Sequence, residues 1–130
     1  MTMNVYENEK TAPVIVEAEA AAGLQKLAQI FCGDIEKVTG HRPMCVNGWQ
    51  ENTSDHILVA TCDNSKILEK LEAQKEVDLS QIRGKREVYG IFCLENVPKA
   101  GKTTLVIAGS DKRGAAYGMF YLSQKMGVSP

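Results

Sequence analysis

Two runs, residues 88–94 (VYGIFCL) and 103–108 (TTLVIA), constrain this chain more than any other feature. Both are apolar at almost every position, which makes them the two most apolar strand candidates in the chain. The loop between them holds Pro98 and Gly101, so the pair is predicted to form a hairpin. A third run, residues 56–61 (HILVAT), reads as another buried strand, and residues 13–16 (PVIV) and 44–46 add two short ones.

Helices are predicted at both ends of this strand-rich middle. In residues 20–39, Leu24, Leu27, Phe31, Ile35 and Val38 recur at spacings of three and four, with polar residues on the opposite side. Glu17 and Glu19 stand where carboxylates complement the N-terminus of that helix, and Gly40 followed by Pro43 supplies its stop. Residues 63–75 predict a short surface helix opened by Asp63 or Ser65, and residues 77–85 a connecting loop. A last helix is expected over residues 111–126, capped by Ser110 and stopped by Gly127. The expectation is an α+β domain with a mixed sheet of four to five strands and the N-terminal and C-terminal helices packed on one face. Residues 1–11 read as a flexible lead-in and residues 12–130 as one domain.

Charge excludes some functions. With a formal net charge of −1, the chain offers no field to hold nucleic acid or an anionic membrane. No stretch approaches the roughly 18 consecutive apolar residues of a membrane span. The four cysteines form no C-x-x-C pair, which argues against a zinc or thioredoxin-like site and favours buried inert thiols over a disulfide framework. Neither His41 nor His56 has a metal-ligand partner at helical spacing, and a hydrogen-bonded structural role is favoured for His56. No serine sits in a G-x-S-x-G elbow, so no catalytic residue, metal or cofactor is expected.

Two motifs bear on binding. Gly101-Lys102-Thr103-Thr104 resembles the end of a phosphate-binding loop, but a strand follows where that chemistry needs a helix N-terminus. A turn entering a strand is the better reading. The segment Gly109-Ser110-Asp111-Lys112-Arg113-Gly114 does lead a buried strand into a helix, and Ser110, Lys112 and Arg113 there are the candidate contacts for an acidic sugar or phosphate. The competing reading is a glycine turn with a capped helix start. Tyr117, Met119, Phe120, Tyr121, Leu122 and Met126 surround much of the final helix, more apolar area than one sheet face covers. At least two large residues of this helix are therefore expected to be partly exposed near the C-terminus. Tyr117, Phe120, Tyr121 and Met126 are the candidate interface with another domain, or a surface for weak self-association.

The stretch LVIAGSDKRGAAYGMFYLSQKMGVSP at residues 105–130 resembles the end of the N-terminal domain in glycoside hydrolase family 115. That family carries an I-x-G-S-D-K-R-G-x-x-Y-G-x-Y-x-L-S-E-x-I-G-V-S-P type segment. A weaker likeness lies in DIEKVTGHRP at residues 34–43, similar to the D-I-x-x-V-T-G-x-x-P that ends the family's first helix. Ala115-Ala116 stands for a more usual Thr-Ile, and Phe120 for a frequent Tyr. The resemblance implies an α+β accessory domain, similar in arrangement to the small domain preceding the barrel in β-hexosaminidases. It further implies a catalytic TIM-type barrel beyond Pro130 as partner, and an inverting α-glucuronidase that removes (4-O-methyl)glucuronic acid from xylan. The chain alone is then expected to be inactive, with glucuronoxylan as a ligand of the parent enzyme and a periplasmic or extracellular location.

Overall fold

In a computed structural model, which describes residues 6–7, 10–50 and 55–127, the apolar runs lie side by side in one sheet. The strands are β1 (Tyr6–Glu7), β2 (Lys10–Thr11), β3 (Val14–Ile15), β4 (Cys45–Val46), β5 (Asp55–Thr61), β6 (Tyr89–Glu95) and β7 (Thr103–Gly109). Helix α1 (Ala22–Thr39) joins β3 to β4, α2 (Lys66–Ala73) follows β5, and α3 (Lys112–Lys125) follows β7. β1 and β2 pair as a small antiparallel ribbon within the expected lead-in, the rest of which lies outside the described residues.

The main sheet has five strands in the order β4-β3-β5-β7-β6. β6 and β7 form the predicted antiparallel hairpin, with Ile91 opposite Ile107, and the remaining pairs are parallel. Alternate residues of each central strand point to opposite faces. Val14, Ile57, Val59, Leu105 and Ile107 therefore meet α1 and α3, while Ile15, Leu58, Ala60, Val106 and Ala108 face the other way into a second core. Burial on both faces is the reason these strands carry no polar alternation.

Helix α1 buries Leu24, Ala28, Phe31, Cys32 and Ile35, as its periodicity predicts, although Val38 is exposed. It ends at Gly40, whose φ of 81° is the left-handed conformation a glycine adopts at no steric cost, and the Gly40 N–H donates to the Glu36 carbonyl at 2.8 Å. α1 and α3 pack together on one face of the sheet, as expected of an α+β domain.

Three local expectations are corrected. First, Glu17 does not serve α1, whose start at Ala21 has no side-chain cap. The Glu17 carboxylate is buried at the start of α2, where Oε2 accepts from the N–H groups of Lys66 (2.9 Å) and Ile67 (3.3 Å) and Oε1 accepts from the Ser65 hydroxyl. A negative charge against unpaired helix N–H donors explains why a carboxylate tolerates that burial. Second, α3 is capped by Asp111, which accepts from Gly114 N at 2.8 Å, and not by Ser110. Ser110 is tied to the hairpin instead, its N–H donating to Val88 O at 2.8 Å and its Oγ accepting from Val88 N at 3.1 Å. Third, residues 77–85 are more than a connection. Val77, Leu79 and Ile82 are buried and share the second core with Leu68 and Leu71 of α2.

Candidate functional site

The turn from β7 into α3 is held by close backbone approach. A methyl group at Gly114 would fall 2.0 Å from Val88 O, and one at Gly109 would fall 2.3 Å from Ala115 N. Only glycine lets the helix start sit this near the hairpin. Gly118 continues the contact one turn later, where an added carbon would meet Ile107 Cγ2 at 2.6 Å.

The side chains of Ser110, Asp111 and Arg113 in this turn are already bonded. Asp111 Oδ1 accepts from Gly114 N, and Oδ2 accepts from Glu87 N at 3.1 Å. These two backbone donors, Gly114 first, hold the Asp111 carboxyl below the usual carboxylate range. Arg113 Nη1 donates to Glu87 Oε1 at 2.8 Å, and that hydrogen bond pushes the guanidinium pKa further up. Lys112 lies across the start of α1, where a methyl at Gly23 would fall 2.8 Å from its Cδ. Arg86, Glu87, Asp111, Lys112 and Arg113 border an open depression of about 330 Å³. Of the predicted contacts, Lys112 and Arg113 therefore border the surface, while Ser110 is buried in the hairpin bond.

The outer side of α3 presents aromatic surface. Tyr117, Phe120 and Tyr121 are 48%, 59% and 45% exposed, so the expectation of at least two uncovered large residues is met. Met119 is buried and Met126 packs partly against the core below α1 and α3. Tyr121 lies 6.2 Å from the Tyr89 ring and has Lys125 Nζ 5.4 Å from its centroid.

His56 has a structural setting. It is fully buried on β5, edge-on to Trp49 at 5.3 Å, and its Nε2 accepts from Gln50 N at 2.9 Å. Burial first, and the Lys102 cation second, push its pKa down, so the ring is a neutral acceptor pinning the loop after β4. Lys102 is buried too, its Nζ donating to Gln50 O at 3.3 Å, which is the role of a strand-entry residue rather than of a phosphate ligand. Among the described residues, no group of His, Cys, Asp and Glu could hold a metal ion, and no helix is long and apolar enough to cross a membrane. Sequence reasoning missed the Glu17 cap and the meeting of Cys32 with Cys45. Both join residues from different parts of the fold, and neither leaves a local spacing signal.

Among solved structures, the chain is similar to one described as a novel family GH115 4-O-methyl-α-glucuronidase with specificity for decorated arabinogalactans. Identity is 28%, the TM-score is 0.66, and the match covers 92% of this chain but 14% of the other. The chain thus spans about one-seventh of the length of that relative. A comparison with curated protein sequences finds no match. The mixed sheet, the glycine-tight turn into α3 and this likeness together point to the N-terminal domain of a glycoside hydrolase. Residues 3–122 match the family described as Glycosyl hydrolase family 67 N-terminus, and the chain belongs to that family.

Proposed function

We propose that the chain is, more narrowly, the N-terminal domain of a family 115 type α-glucuronidase, and that it supports a downstream catalytic barrel without turning over substrate itself. The single observation that carries this reading is the likeness, over 92% of the chain, to 14% of a much longer 4-O-methyl-α-glucuronidase. Inverting glycoside hydrolysis needs an acid and a base carboxylate roughly 6.5–9.5 Å apart with a water between them, an arrangement suited to barrel loops. The exposed Tyr117, Phe120 and Tyr121 are the surface that would meet the barrel.

The proposed substrate is a plant polysaccharide carrying (4-O-methyl)glucuronic acid. Xylan is the expectation from the sequence resemblance, whereas the structural relative's description names decorated arabinogalactans. Release of glucuronic acid is to be measured on glucuronoxylan and on decorated arabinogalactan, with the 130-residue chain alone and with the chain joined to its catalytic part. The expected result is turnover only by the joined protein. Turnover by the chain alone would sink the accessory role. A rival reading makes the chain an anion-binding module at Lys112 and Arg113. It requires that glucuronate, titrated to millimolar concentration, move the amide signals of Gly109 and Gly114.

A further inference from the structure

Cys45 stands opposite Val14 in the parallel β3–β4 pair. Paired residues of neighbouring strands project to the same face, and Val14 belongs to the core beneath α1. Cys32 is the fully buried thiol on the inner side of that helix. Cys45 packs against the same core cluster that contains Cys32, and the two thiols lie near enough for each to shift the other's pKa. Cys93 lies on β6, at the opposite edge of the sheet, and Cys62 follows β5 and packs in the second core. All four are free thiols. Only one pair is in contact by these placements.

We propose that Cys32 and Cys45 are a dithiol site that closes to an intramolecular disulfide by exchange with a small disulfide such as oxidised glutathione. The half-exposed Cys45 acts first, since Cys32 has no contact with solvent. Its thiolate attacks one sulfur of the oxidant, forming a mixed disulfide and expelling one glutathione thiolate, which takes up the proton that Cys45 gave to solvent. Cys32 then loses its proton and attacks the Cys45 sulfur, expelling the second glutathione. The protein gives up two hydrogen atoms, and one oxidised glutathione becomes two reduced ones. The contacts fit this order. Desolvation raises the Cys45 thiol, and the neighbouring Cys32 thiol and Arg42 guanidinium offset part of that rise. Desolvation, with Cys45 second, pushes Cys32 up to about 12, so Cys32 is the poorer first nucleophile. The bond would tie α1 to β4, a two-residue edge strand held in the sheet by β3 alone.

The test uses the reduced full chain, incubated with excess oxidised glutathione, then unfolded, alkylated and mapped by peptide mass spectrometry. The expected product joins the Cys32 peptide to the Cys45 peptide and leaves Cys62 and Cys93 alkylated. Its thermal midpoint should rise on the order of 10 °C over the reduced chain, because a short loop through Gly40 is closed. Cys32→Ser should stop at a glutathione adduct on Cys45. Four alkylated cysteines in the wild type, an adduct on Cys45 that never resolves, or a bond to Cys62 or Cys93 would overturn the proposal.

Discussion

One face of the sheet lies under α1 and α3, two helices of three turns or more; the other lies under α2, of eight residues, and the irregular segment that carries Val77, Leu79 and Ile82. Both covers bury comparable sets of aliphatic side chains, yet they are built differently. The regular face is held by helical periodicity and by glycines that let α3 approach the strands. The irregular face depends on long-range ties to backbone groups. Arg83 donates to Cys62 O at 3.1 Å and pairs with Glu72, and Glu17 holds the start of α2. An irregular cover works where each turn finds a partner for its exposed polar groups.

The comparison breaks most visibly in the core. Phe31→Ala on the regular face is expected to cost about 3–5 kcal/mol, and Leu79→Ala on the irregular face about 2–5 kcal/mol, both by urea unfolding. A cost near zero at Leu79 would show that the irregular segment is a loose cover and not core. Equal costs would show that burial, rather than secondary structure, sets the value of a side chain.

Glu17 sharpens the comparison at a smaller scale. Glu17→Ala removes the acceptor for Lys66 and Ile67 N–H and is expected to cost about 1–3 kcal/mol. Glu19→Ala, at an exposed position that contributes only its carbonyl to Asn64, should stay within about 0.5 kcal/mol. Hydrogen exchange should localise the Glu17 effect to α2. Protection lost in α1 instead would restore the assignment of Glu17 to the first helix.

What was legible in the sequence divides along the same line. The strands, the hairpin, α1 and α3 follow from runs of apolar residues and from spacings of three and four, which are local signals. Leu79 and Ile82 read as part of a connection in the sequence, because aliphatic residues without a period look alike in a loop and in a core. Serine suits a cap position, but Asp111 is equally suited, and the hairpin's claim on Ser110 is visible only in three dimensions. The candidate site was legible as a place and not as chemistry. The segment does join strand to helix, but Asp111, Ser110 and Arg113 are bound to Gly114, Val88 and Glu87.

The Asp111 cap predicts a pH effect confined to the regular face. The folded-state pKa of Asp111 is lowered, so its contribution is fully present above the unfolded carboxylate pKa, near 4, and is lost as pH falls through the folded value. Asp111→Asn should therefore flatten the fall in stability on acidification below about pH 4, while leaving the profile above that pH parallel to wild type. Urea midpoints measured from acid to neutral pH check this. An unchanged acid limb would mean that the cap bonds form equally well to a neutral group.

The smallest expected effect lies on the outside of the regular face, and there it carries the most functional weight. Phe120 is the most exposed of the α3 aromatics, so removing it costs the isolated chain little burial. Phe120→Ser should change the stability of the chain alone by no more than about 0.5 kcal/mol, since surface changes away from caps and cores seldom do more. If that side chain meets a catalytic barrel, the same substitution in the joined protein loses the burial of a large apolar group, worth roughly 1.5–3 kcal/mol at full coverage. The two measurements, made by thermal unfolding of the chain and of the joined protein, separate an interface residue from an ordinary surface one. A small effect in both would leave the aromatic face without a partner in the same polypeptide. A large effect in the isolated chain would mean that Phe120 already supports the fold, and the contrast between a buried inner and a free outer side of α3 would fail.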